Sequence, residues 1–164
     1  MDEDMYSIVG RRVSGFLGIG AVVGEQGSSG LVNPANSNVI AVVEMIHVSA
    51  KTTAGTVELR AQNPAVEEES SSPGFLMDSR FYAASQLRSA CRVAVNTVAV
   101  AAGLGNAIAQ YGITPNTPSA TLPFHPHVLA PGSCLWVTNS TANELINVTW
   151  RWRERNMSSG ETKL

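Results

Sequence analysis

The chain has little charge. Asp, Glu, Lys and Arg make up 15% of its 164 residues, against about 25% in a typical soluble domain. Lysine occurs only at Lys51 and Lys163, and aspartate only at Asp2, Asp4 and Asp78. With a formal net charge of -2, the chain lacks the basic field that non-specific nucleic-acid binding requires. Cysteine is confined to Cys91 and Cys134, too few for a disulfide scaffold, and both are expected as buried free thiols. The apolar runs stop short of the roughly 18 residues of a membrane-crossing helix. The acidic start, Met1-Asp2-Glu3-Asp4, differs from the basic-then-apolar pattern of a secretory signal. The expectation is a chain made and kept inside a cell, or carried out of it by other means. What remains is ample for a core. The hydrophobic share is 44%, and the length suits one domain. The reading is an N-terminal arm at 1–6, a single domain at 7–156 and a flexible C-terminal tail at 157–164.

The dominant hydrophobic period is two, the period of a strand with one buried face. It is clearest from Leu145 to Arg155. One face carries Leu145, Asn147, Thr149, Arg151, Arg153 and Arg155, and the other Ile146, Val148, Trp150, Trp152 and Glu154. Upstream, Leu135 and Val137 alternate with Cys134 and Trp136. The intervening 139–144 is turn chemistry, so the two runs are expected to form an antiparallel hairpin. A second hairpin is expected from Val39–Ala50, apolar on both faces, and Thr56–Arg60. Arg92 to Ala101 reads as a strand whose phase slips at Asn96-Thr97. Ser7 to Val23, dense in glycine, reads as one or two irregular strands. Gly27-Ser28-Ser29-Gly30 reads as a flexible loop, and 67–74, rich in Glu and Ser, as an exposed one. Phe81 to Ala90 has the spacing of one short helix. Thr114 to Pro131 holds most of the eight prolines and reads as an extended, non-helical connection. The fold class is therefore all-β: an antiparallel β-sandwich, jelly-roll-like, with at most one short helix.

Catalytic chemistry finds few footholds. His125 and His127, two apart, would share a strand face, and His47 with Glu44 or Glu58 could complete a metal site of the cupin kind. No other acid than Asp78 lies between Glu69 and Glu144, so the histidines are expected in a proline-rich connection rather than on a metal. Asp78 is also the only aspartate available to a Ser-His-Asp triad, and there is no G-x-S-x-G. Glu44, Glu58 and Glu144 are scattered, against the facing pair that a glycosidase needs. Gly18-Ile19-Gly20 and Gly24 resemble a dinucleotide fingerprint only in their glycines, without the following helix. Asn139-Ser140-Thr141, Asn147-Val148-Thr149 and Asn156-Met157-Ser158 match the glycosylation pattern, which carries no weight without a secretory signal. Neither an enzyme nor a cofactor is expected. Arg151, Arg153 and Arg155 form a basic stripe, expected to pair with carboxylates across strands or between subunits. The arm Met1, Asp2, Glu3 and Asp4 and this stripe are the candidate interaction residues. A low-charge surface resists association poorly, so an assembly subunit is favoured over a solitary enzyme.

Two stretches carry a resemblance. His127–Asn139 (HVLAPGSCLWVTN), Thr141-Ala142-Asn143 and Val148–Arg155 (VTWRWRER) resemble the C-terminal hairpin of small β-sandwich virion proteins of tailed bacteriophages. Pro34–Arg60 is similar to their first hairpin. The resemblance implies a structural role as a capsid cement or decoration protein that binds and stabilises the shell. Its partners would be the major capsid protein or other virion proteins, and it would be a trimer or dimer, with no direct nucleic acid and no membrane. Such a protein is made in the host cytoplasm and ends on the capsid exterior. The rival readings are a tail, baseplate or fibre-associated sandwich contacting virion proteins or the host surface, and the cupin-like metal module.

Overall fold

A computed structural model describes residues 11–19, 27–50, 54–62, 70–73, 75–76, 89–96, 105–115, 120–121, 126–139, 146–158 and 160–161. These residues form twelve strands and no helix: β1 (Arg11–Ile19), β2 (Ser28–Val32), β3 (Val39–Ala50), β4 (Gly55–Gln62), β5 (Ser70–Pro73), β6 (Phe75–Leu76), β7 (Arg92–Asn96), β8 (Asn106–Ile113), β9 (Ala120–Thr121), β10 (His127–Leu129), β11 (Cys134–Asn139) and β12 (Ile146–Asn156). The fold is an all-β, antiparallel sandwich of two six-stranded sheets. Sheet I runs β10-β3-β12-β1-β6, with β9 also on β3, and sheet II runs β5-β7-β2-β11-β4-β8.

The connectivity is that of a rolled hairpin. Strands pair from the outside inwards: β1 with β12, β2 with β11, β3 with β10, β4 with β8. Folding this long hairpin over puts β12 beside β3 and β11 beside β4, which is the jelly-roll arrangement of eight strands. The segment between β4 and β8 adds β5 and β7 beyond β2, and β6 beyond β1.

Both expected hairpins are thereby corrected. β11 and β12 are present, but lie in different sheets, as do β3 and β4. A rolled hairpin takes each strand's partner from far along the chain, so neighbours in sequence face each other across the interior. Turn residues between two alternating runs serve a crossing of roughly 10 Å between sheets as readily as a hairpin. Two loop readings are also corrected. Ser70–Pro73, read as exposed loop, is strand β5 on β7. Ser28-Ser29-Gly30, read as flexible loop, begins β2, whose five residues are all buried. Within the proline-rich connection, Ala120–Thr121 and His127–Leu129 are extended as expected and also pair with β3. The expected helix falls almost wholly on 81–88, outside the described residues, as do the arm at 1–6 and His125.

The alternation of β12 holds: Ile146, Val148, Trp150, Trp152 and Glu154 face inwards and are buried. The four apolar ones pack with Val43, Ile46 and Val48 of β3 and with Leu31, Val57, Leu59, Leu135 and Val137 of sheet II in one core. A smaller cluster of Val32, Ala94, Cys134 and Trp136 occupies the other face of sheet II. There the Trp136 ring lies against Gly30, its register partner. A Cβ at Gly30 would stand 2.6 Å from the indole, so only glycine fits. The buried Trp150 indole donates from Nε1 to Ser29 Oγ at 2.9 Å, linking the two sheets.

A corner is closed by Asn33, which is fully buried. Its Nδ2 donates to the carbonyls of Val39 and Leu129, both at 2.9 Å. Its Oδ1 accepts from Ser37 Oγ at 2.6 Å. Its backbone N–H donates to Ser133 and its carbonyl accepts from Gly132. One side chain thus ties the β2–β3 turn to the β10–β11 turn, where Gly132 holds φ 91°, a conformation that other residues adopt only with strain.

Two outcomes test this packing in chemical denaturation. Gly30→Ala should cost about 2–3 kcal/mol, because the new methyl meets a ring that cannot retreat. Asn33→Ala should cost about 2–4 kcal/mol, because it leaves two carbonyls without their donors.

Candidate functional site

Among the described side chains, the charged ones on the outer face of sheet I come from β12 and β3. The stripe Arg151, Arg153 and Arg155 lies on the half-exposed face of β12. Its partner is a residue that sequence reasoning had set aside. At the β3–β12 register shift, Arg151 faces Met45 and Trp152 faces Val43, so Glu44 is the extra residue of a bulge. The bulge turns Glu44 outwards beside Met45, both half-buried, and its carboxylate meets two arginines. Arg151 Nε stands 3.8 Å from Glu44 Oε2, and Arg153 Nε 3.6 Å from Glu44 Oε1. At these distances and partial exposures the pairs are worth about 0–1 kcal/mol each. Arg151 Nε is itself buried without a hydrogen bond.

Arg155 has a different partner. It binds Glu161 through both terminal guanidinium nitrogens, with Nη1 donating to Oε2 at 2.8 Å. Glu161 also accepts from the Ser158 N–H and Oγ, both at 2.7 Å. The Arg155 hydrogen bonds, followed by those of Ser158, hold the Glu161 carboxyl well below the usual carboxylate range. The same pairing raises the Arg155 guanidinium further. What this ion pair contributes is present at neutral pH and is lost as the pH falls below the ordinary carboxylate range. A turn at 158–161, closed by Glu161 N–H on Ser158 C=O at 3.0 Å, is thereby tied to the end of β12. The arm residues Met1, Asp2, Glu3 and Asp4 lie outside the described residues.

His47 and His127 do not converge. His127 pairs in register with the buried Val43, which places it on the inner side of sheet I. His47 sits between the buried Ile46 and Val48, opposite Thr149, on the outer side. Glu44 shares the outer face, and Glu58 belongs to sheet II, where it pairs with Arg60 at 2.7 Å. Among the described residues no group of three or more His, Cys, Asp or Glu is placed to hold a metal, and no helix is long and apolar enough to cross a membrane.

The densest polar cluster is internal. Glu154, 3% exposed, is the one carboxylate among the described residues whose side chain is buried. Four donors surround it. The Cys91 N–H reaches Oε1 at 2.9 Å, the Ala90 N–H reaches Oε2 at 3.1 Å, and Trp152 Nε1 reaches Oε1 at 3.0 Å. Ser89 Oγ donates to Oε1 as well. Two backbone amides, a hydroxyl and an indole thus replace water around a charge, which is how a carboxylate survives burial. The cluster joins the end of β12 to the start of β7, a fixed structural latch between the two sheets. Alternation placed Glu154 on the apolar face, and a charge in that phase was the signal that it would be bound internally.

Cys91 and Cys134 are both free and buried, and they belong to different clusters. Burial, then the Glu154 charge and hydrogen bond, push the Cys91 thiol far up. Such a thiol stays protonated and unreactive in the fold.

Comparison of the chain with protein-family models, with curated proteins and with solved structures gives no match.

Two outcomes follow for the latch. Glu154→Ala should destabilise by about 3–5 kcal/mol in urea unfolding, since four donors lose one acceptor. The Cys91 pKa is higher folded than unfolded, so its contribution is whole below about pH 8.5 and falls as the pH rises beyond it. The slope is about 1.4 kcal/mol per pH unit. Unfolding free energies at pH 7, 9 and 10 should show this decline, and Cys91→Ala should flatten it. An equal slope in the variant would remove Cys91 as its source.

Proposed function

We propose that this chain is a non-enzymatic structural protein of a bacteriophage virion, a capsid cement or decoration protein that binds the shell from outside and stabilises it. The observation that carries the reading is the rolled-hairpin sandwich itself. Its β1-β12-β3-β10 and β2-β11-β4-β8 order is an architecture shared by viral capsid domains. The argument from fold to role is one of likeness, since lectins and cupins use the same roll. Two features of this chain favour the virion role over those. Two buried polar side chains with several bonds each, Asn33 and Glu154, are spent inside on holding strands together. The arginines on the outer face of β12 are matched to carboxylates of the same chain. A low-charge, densely stapled sandwich suits a part that transmits load between neighbours and buries surface at small desolvation cost.

The test is co-sedimentation with empty shells assembled from the major capsid protein of the same phage, combined with light scattering of the free protein. The expected result is a dimer or trimer that pellets with shells at a fixed stoichiometry and raises their melting temperature. A protein that leaves shells unbound and unchanged overturns the cement reading. Binding to purified tails instead would assign it to the tail or baseplate.

A further inference from the structure

Among the described residues the two sheets have four edges, and three of these end in strands of two to four residues. Sheet I ends on one side in β6, whose two residues pair with Val13 and Ser14 of the nine-residue β1, and on the other in β9 and β10, of two and three residues. Sheet II ends on one side in β5, four residues closing in Pro73. Short strands and proline are the usual protections of an edge. The fourth edge is β8. It is eight residues long, Asn106–Ile113, with neither a charge nor a proline. Among the described residues it pairs only with β4. Asn106, Ala107, Ile108, Gln110 and Gly112 are exposed, and Ile108 is one of two large apolar residues on the described surface, 44% exposed. A bulge leaves Ile108 without an opposite number on β4: Leu59 faces Ala109 and Arg60 faces Ala107.

We propose that β8 pairs antiparallel with β8 of a second copy of this chain, about a two-fold axis, joining two copies of sheet II into one twelve-stranded sheet. Self-pairing about a two-fold sets each residue of the strand against another of the same strand. A charge near the axis would meet its own copy, and like charges directly opposite are unfavourable. β8 carries none, so its edge is electrostatically compatible with itself. The outward N–H and C=O groups of such an edge supply the ladder, and the bulge at Ile108 confines regular pairing to Ala109–Ile113. Small residues at Ala109 and Gly112 admit a close approach, and Gly112 has no atom within 4 Å of the place its Cβ would occupy. This inference does not rest on the virion reading, and either can fail alone.

The experiment is sedimentation equilibrium of the full chain over a wide concentration range. It is joined by amide hydrogen exchange of 106–113 at low and high concentration. The wild type should dimerise, with exchange at β8 slowing as dimer forms. Gln110→Lys with Gly112→Lys places like charges opposite one another in any register centred near Gln110. It should weaken the dimer more than tenfold while the thermal unfolding of the monomer is unchanged. Gln110→Glu with Gly112→Glu should be equally weak alone, and mixing the two variants should restore the dimer. A wild type that stays monomeric, a dimer indifferent to the lysine pair, or a mixture that fails to recover overturns the proposal. Should a variant not fold, the wild-type exchange pattern decides: concentration-independent exchange at β8 overturns it as well.

Discussion

Polar atoms carried into the core by β12 need partners there, and much of the structure depends on how they find them. Alternation puts two indoles and a carboxylate on the same buried face as Ile146 and Val148. Trp150 can satisfy its N–H only by reaching across the interior, and Ser29 on β2 accepts it. Trp152 turns to Glu154, and Glu154 then needs further donors, which the backbone at 90–91 and the hydroxyl of Ser89 provide. Each bond is modest as a net term, about 1 kcal/mol, but each costs more to leave unmade. The two sheets are therefore held in register by polar contacts fixed in direction as well as by non-directional apolar burial. β7 and the insertion that carries it are held to the roll by Glu154.

The same demand explains the composition of β2. Ser28, Ser29 and Gly30 look like loop chemistry in isolation, and a window of sequence gives no reason to bury them. Their positions are dictated from both sides: Ser29 receives an indole from sheet I, and Gly30 makes room for the indole of Trp136. Small polar residues are what a strand needs when large rings press on both its faces. Tertiary context overrides local propensity at such sites.

How much was legible follows from which constraints are local. The β12 alternation and the all-β sandwich class were readable, because a period of two sustained along the whole of β12 fits a half-buried strand and does not fit a helix. The pairing partners were not. A rolled hairpin pairs β12 with β1 and β3, while its neighbour in sequence, β11, goes to the opposite sheet. Nothing in the residues between them distinguishes a tight turn from a crossing. The arginine stripe was legible as a stripe, but its partners depended on a bulge that turns Glu44 outwards and on a turn that brings Glu161 back. β8 escaped notice because alanines and glycine blur its alternation, although Ala109, Tyr111 and Ile113 do pack against the core.

That blur has a physical reading. A strand with one wet and one buried face normally declares itself by charged residues on the wet side, and these also protect an edge from association. The protein has few charges to place, and many of those on its sheets are committed: Arg60 to Glu58 and to the Gly105 carbonyl, Arg151 and Arg153 to Glu44, Arg155 to Glu161, Glu154 to the interior. None is spent on β8, whereas β5 closes its edge with proline and β6, β9 and β10 are kept very short. Among the described residues β8 is the one long strand at a sheet edge, and it has neither charge nor proline, a bareness that stability alone does not require, since a lysine or glutamate at an exposed strand position costs only a few tenths of a kcal/mol. The scarcity of charge noted in the composition and the bare edge found in the fold are then one property. Both leave β8 able to meet a second copy of itself without a clash of like charges.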